Sequence, residues 1–380
     1  MAPKTGMLAL VLMIQPGLAP AAEPGLAQSA APPMASVELD LPRVAMDPGM
    51  QAAMARFREA IRLAAHGAPA SPDGTIRVLA PAGGSKIRPM LETHADDLFI
   101  LSWERPGTPA SIIRTFRQQA ELLAPLLQSA VNSGSQSTEA VDQLPIAAQI
   151  LGLIGIELGV REVAVAYYLP KGSPVDFSQG ERLLALWDGP PVPETEVPLL
   201  TVFRFAWQGR PRRVLFYSWR LTPDSGPRQE ALPMADLRRL NPRGFDWGYL
   251  SADGLMFFSA LADNQGLRAD RQLLDALVPG GLVLLDYPLG AWCHQPYWAG
   301  GFRVMGGRAP LEGWGLRRLR TIPVTEPVFG YSGFTPNDTV CVYQKPPVPA
   351  GPIQAAPPDG ADFIAIGPAH RFALRPPAPT

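Results

Sequence analysis

The apolar positions of the chain change period along its length. Over residues 50–65 they recur at helical spacing. Met54, Phe57, Ile61 and Ala64 share one face, and Arg56, Arg58, Glu59 and Arg62 fill the remainder. Two short apolar runs, 76–80 and 98–103, have strand length. The stripe Ile112, Ile113, Phe116, Leu123, Leu126 and Leu127 then predicts a long helix, with Thr108 as its N-cap, Pro109 in its first turn and a kink at Pro125. A further helix over 146–158 opens at Pro145 and closes at Gly159. It is apolar all round, the pattern of a buried helix. Residues 160–220 turn to β-branched and aromatic side chains, which predicts strands at 163–168, 183–187, 199–207 and 213–219. Residues 208–211 form the loop of a hairpin between the last two. Val202, Arg204 and Ala206 alternate against Val214, Phe216 and Ser218, the pattern of a half-exposed antiparallel pair. From 231 to 346 the order returns to strand–helix–strand.

Composition narrows the classes. A chain of 380 residues has room for two or three domains, and 47% hydrophobic content supports buried cores. A net charge of -1 excludes nucleic-acid binding through a basic field, and no segment is apolar enough to span a bilayer. The 44 prolines gather at the two ends and in 190–198, which predicts irregular coil there. Lys4, the apolar run 7–14 and Ala19-Pro20-Ala21 together read as an export signal, giving a periplasmic or otherwise exported chain if it is used and a cytoplasmic one if not. These shifts divide the chain into a signal over 1–22, a disordered linker over 23–45 and a helical α/β region over 46–158. An antiparallel β-rich region over 159–230, an α/β half over 231–346 and a Pro/Ala-rich tail over 347–380 follow, the tail with one docked strand at 363–366. Two cysteines, Cys293 and Cys341, exclude a disulfide-rich scaffold and a Cys-based zinc cluster. His94-Ala95-Asp96-Asp97 reads as a solvated loop, so no metal site is expected.

The densest signal lies between 245 and 346. Phe245-Asp246-Trp247 opens a strand, a helix over 270–277 leads to Pro279-Gly280-Gly281, and that turn feeds an apolar strand over 282–286. Residues 314–322 and 339–345 complete an antiparallel pair. This order resembles the C-terminal half of a class I S-adenosylmethionine (SAM)-dependent methyltransferase. Arg308-Ala309-Pro310-Leu311-Glu312-Gly313-Trp314 is similar to a stretch of an uncharacterised methyltransferase-like family from sugar and surface-polymer contexts.

The resemblance implies an α/β fold with a Rossmann-like, methyltransferase-type sheet in the C-terminal half, a helical/β N-terminal region and an antiparallel β-hairpin insertion. It implies SAM bound across the C-terminal ends of parallel strands. Asp236, followed by Leu237, stands where the adenine amino group is held. Ser251 and Asp253 stand at the end of the fourth strand, where the acceptor is oriented. His294 stands on the loop above the pocket, where a general base would sit. The acceptor is then a small polar or sugar-like molecule. In this fold the last strand runs antiparallel beside the fifth, which would bring Cys293 and Cys341 to disulfide distance.

The first half of the pattern has two placements. In one, 76–80 is strand one, Gly83 and Gly84 form the glycine turn and Glu104 binds the ribose. The spacing of about 20 residues suits a βαβ nucleotide site, but residues 108–230 must then be a large insertion. In the other, 146–158 is the first helix and 163–168 is strand two. No glycine turn precedes that helix, and Tyr167-Tyr168 occupies the acid's place, as in a degenerate, non-binding domain. A non-catalytic envelope protein is accordingly the alternative function. Its interaction surface for a protein partner would be an exposed hairpin carrying Phe203, Phe205, Trp207 and Trp219.

Overall fold

The structure, a computed structural model, describes residues 36–49, 51, 52, 55, 59, 74–81, 87, 91, 95–102, 104–133, 144–171, 182, 184, 199–218, 245–250, 283–286, 317–323, 339–344 and 363–377. Twelve strands and three helices are defined over these residues. They are β1 (Ser36–Asp40), β2 (Arg77–Pro81), β3 (Asp97–Ser102), α1 (Pro109–Gln118), α2 (Ala120–Ser133), α3 (Ile146–Glu157), β4 (Glu162–Pro170), β5 (Leu199–Trp207), β6 (Arg210–Ser218), β7 (Trp247–Leu250), β8 (Val283–Asp286), β9 (Arg317–Pro323), β10 (Thr339–Gln344), β11 (Phe363–Ala365) and β12 (His370–Arg375).

All twelve strands join one mixed sheet in the order β1-β12-β4-β5-β6-β3-β2-β7-β8-β10-β9, with β11 also pairing β4. The molecule is therefore an α/β protein. Strands β6, β3, β2, β7 and β8 are mutually parallel. β10 runs antiparallel to β8 and to β9. On the other side β5 and β4 extend the sheet antiparallel from β6. β12 pairs antiparallel with β4, and β1 closes that edge parallel to β12. The parallel block thus draws on both halves of the chain, not on the C-terminal half alone.

Local chemistry explains where α1 to α3 begin and end. The Thr108 side chain accepts from the Ser111 amide while Ser111 Oγ accepts from the Thr108 amide, a reciprocal cap that fixes the start of α1. The expected long helix is two helices, with the break at Gln119, and Pro125 lies inside α2. α3 is buried from Ile146 to Gly155, and Gly159 ends it with φ +67°. A β-carbon at Gly152 would come within 2.6 Å of Leu127, and one at Gly155 within 2.8 Å of Leu41. These glycines let α3 lie close against α2 and against the edge formed by Leu41 and Leu374.

The β5–β6 hairpin turns more tightly than its proline and glycine content predicts. Gln208 and Gly209 alone form the turn, with φ of 51° and 73°, and Arg210 and Pro211 are already paired. Two successive positive φ values match the right-handed twist of the flanking strands. The hairpin is not a half-exposed pair. It lies between β4 and β3, where both faces are covered, and Val202, Phe203, Val214 and Phe216 are wholly buried. Phe205 and Trp207 are buried as well, so the aromatic interaction surface expected there does not exist on the described residues; Trp219 lies outside them.

Other expectations are corrected by the fold. Arg182 and Leu184 are helical where a strand over 183–187 was expected. β1 falls inside the expected linker and β12 inside the expected tail, and both are strands of the sheet; β11 is the docked strand expected at 363–366. Of the helix expected over 50–65, residues Gln51, Ala52, Ala55 and Glu59 are described and helical. Among the described residues no helix is long and apolar enough to cross a membrane.

Candidate functional site

The chain order of the parallel block reverses at β2. From β2 the chain moves outward to β3 and β6, then returns to the opposite side of β2 as β7 and continues outward to β8. Where the chain leaves neighbouring parallel strands toward opposite sides, as at β2 and β7, open α/β sheets bind ligands at the carboxyl ends of those strands.

Glu104 stands at that end, immediately beyond β3, and is part-buried. Ser102 Oγ donates to Glu104 Oε2 at 3.1 Å and accepts from the Glu104 amide at 3.2 Å. Ser218, the register partner of Ser102 on β6, donates its Oγ to the Glu104 carbonyl at 2.6 Å. The next residues are pinned in turn. Ile146 N donates to Arg105 O at 2.9 Å and Ala147 N to Pro106 O at 3.0 Å, so the first amides of α3 hold this loop. Gly107 has φ +85°, and a β-carbon there would meet Pro145 Cβ at 2.2 Å. Thr108 then caps α1. The acid therefore rides on a loop tied at successive residues to β6, α3 and α1, a rigid platform of the kind that positions ligand groups. Gly107→Ala is expected to displace this loop and to destabilise the protein by about 1–3 kcal/mol, read as a fall in urea midpoint with the slope unchanged.

The opposite, amino-terminal end of the same strands is an ion network. Asp97 Oδ1 and Oδ2 accept from Arg213 Nε and Nη2, each at 2.6 Å, and Arg77 Nε lies 3.8 Å from Asp97. Asp96 Oδ1 accepts from Arg210 at 2.8 Å and Arg212 at 3.0 Å, and its Oδ2 from the Ile76 amide at 3.1 Å. Arg212 Nη1 also donates to the Ala95 carbonyl. Burial pushes the Arg212 guanidinium below its ordinary range, and Asp96 opposes that shift. Asp246 Oδ2 accepts from the Arg77 amide at 2.7 Å, clipping β7 to β2, and Phe245 packs edge-on against Phe99 at 4.7 Å. His94-Ala95-Asp96-Asp97 is accordingly no solvated loop at its described residues: Ala95 and Asp97 are buried. Charges at this end hold strands together, at the end of the sheet opposite Glu104.

Of the residues expected to form the site, Glu104 is described. Gly83, Gly84, Asp236, Leu237, Ser251, Asp253 and His294 lie outside the described residues, as does Cys293. By chain position Gly83 and Gly84 closely follow Pro81, the last residue of β2, and Ser251 follows Leu250, the last residue of β7. Cys341 pairs with Asp286 at the end of β8. Tyr167 and Tyr168 lie on β4, which pairs antiparallel with β5 and not beside β2, so 163–168 is not the parallel neighbour that the second placement requires. Among the described residues no group of His, Cys, Asp and Glu could hold a metal.

Ser102, Ser218 and Gly107 were not expected at the site. The signal was present: Leu98-Phe99-Ile100-Leu101-Ser102 and Val214-Leu215-Phe216-Tyr217-Ser218 are apolar runs that each end in serine. No protein-family model matches the chain, and comparison with curated proteins and with solved structures yields no match.

Proposed function

We propose that the chain is a SAM-dependent methyltransferase-like protein that binds an adenosyl ligand across the carboxyl ends of β3, β2 and β7. The observation that carries this reading is the strand order with Glu104 in place. A parallel block reverses at β2, an acid closes the neighbouring β3, and β10 lies antiparallel beside β8. Those are the features that the resemblance in 245–346 requires of a whole sheet.

The first placement also becomes compatible with the long gap in the chain. The described residues between Glu104 and β6 include α1, α2, α3, β4 and β5, and the chain returns parallel to β3 as β6. A folded insertion of this size separates two strands that remain neighbours.

In this reading SAM supplies the methyl group to be transferred. Glu104 accepts hydrogen bonds from the ribose hydroxyls, Gly83 and Gly84 let the backbone approach the methionine moiety, and Asp236 with Leu237 holds the adenine. Ser251, Asp253 and His294 orient a small polar or sugar-like acceptor, with His294 taking its proton. Rate enhancement comes from holding donor and acceptor at attack distance. The alternative of a non-catalytic exported envelope factor rests on the signal-like residues 1–22. Among the described residues Phe203, Phe205 and Trp207 are buried, so the hairpin does not supply the surface expected for it.

Calorimetric titration of the full chain with SAM and with S-adenosylhomocysteine tests the proposal. Micromolar binding to the wild type, lost in Glu104→Gln and in Asp236→Ala, is expected. A folded, monodisperse protein that gives no heat with either ligand rejects it.

A further inference from the structure

We infer that Ser102 and Ser218 are positioning residues for a carboxylate that recognises a vicinal diol, and that β6 brings the insertion to bear on the site. The inference rests on the adenosyl-binding reading above and adds to it the groups that aim the acid.

The geometry separates two tasks. Ser102 is buried, so its hydroxyl has little competition from water. It donates to Glu104 Oε2 and accepts from the Glu104 amide, which fixes the side chain relative to its own backbone. Ser218 is fully buried and reaches across from β6 to the Glu104 carbonyl, which fixes that backbone relative to the sheet. The two serines are register partners on adjacent parallel strands. Both therefore follow any movement of β3 against β6.

A carboxylate holds two oxygens, each with more than one acceptor direction. One oxygen can accept from Ser102 and still accept from a ligand. A diol offers two donors at a fixed spacing, so it rewards a carboxylate of fixed orientation more than a single hydroxyl does. Ser218 comes from the strand that ends the inserted segment. The insertion is thus part of the site's construction.

The test is calorimetric binding of S-adenosylhomocysteine and of its 2′-deoxy analogue to the full chain, to Ser102→Ala, Ser102→Thr and Ser218→Ala, with thermal midpoints recorded for each. Removing a hydrogen bond to a charged group is expected to weaken the ribose ligand about ten-fold in Ser102→Ala. The deoxy ligand should change by less than about two-fold, and Ser102→Thr, which restores a hydroxyl, should recover the preference. Ser218→Ala should show the same selective loss. Equal weakening of both ligands, or no change in either, overturns the inference while leaving adenosyl binding in place. A wild type that binds neither ligand overturns the inference together with the reading beneath it.

Discussion

A chain ending at residue 360 is expected to lose its fold. The missing segment carries β11 and β12, with Phe363, Ile366, Phe372 and Leu374 all buried. Burial of four such side chains stabilises by on the order of 10 kcal/mol, which is comparable to the whole stability of a typical domain at about 5–15 kcal/mol. The loss is not confined to those residues. β1 loses its pairing partner, and β4 is left with an open edge across a nine-residue, largely apolar strand. Long apolar edges template aggregation. Size-exclusion chromatography and urea unfolding check this: the truncated chain should be insoluble or give no cooperative transition. A chain ending at 377 should behave as the full one. A soluble 360-residue chain with an unchanged urea midpoint would show that the C-terminal strands are dispensable.

Asp97→Ala should be the most damaging single charge removal at the amino-terminal end of the sheet. Asp97 and its bidentate partner Arg213 join neighbouring strands β3 and β6, and Arg77 on β2 stands at 3.8 Å. The Asp97 side chain is only 3% exposed, so its removal takes a buried bidentate acceptor from the Arg213 guanidinium. Breaking a buried pair in this way costs about 3–5 kcal/mol. Arg210→Ala is the contrast. Its side chain is 50% exposed, its pairing to Asp96 is solvent-screened, and a loss of less than about 1 kcal/mol is expected. Urea midpoints of the two variants decide the matter; equal midpoints would place the Asp97 pair among the dispensable surface contacts.

The middle of the chain could be read from its pattern because there the pattern was the only signal. The Thr108 cap, the all-round apolar α3 and the long strand β5 follow from side-chain periodicity and capping chemistry. The ends could not be read so easily. In β12 the alternation of Phe372 and Leu374 with Arg371 and Arg375 is a strand pattern, and Val37 and Leu39 of β1 show the same. The surrounding prolines masked both, since composition reports on a stretch and pairing needs only a few residues. The hairpin misled for a different reason. Arg204 and Ala206, with Arg210, Pro211 and Arg213 opposite them, mark an exposed end, yet 199–203 and 214–218 are buried on both faces, and burial by distant elements leaves no local trace. Glu104 was legible through its distance from 76–80. Ser218 was not, because its contact with Glu104 spans 114 positions and depends on β6 returning beside β3.

We propose that the carboxyl ends of β2, β3 and β7 form one adenosyl site. Hydrogen–deuterium exchange of the full chain with and without S-adenosylhomocysteine tests it most directly. Protection gathered in peptides covering 81–87, 104–108 and 250–254, with none at the Asp96–Arg213 end, is the predicted result. An exchange pattern unchanged by ligand, or protection confined to other segments, would contradict it.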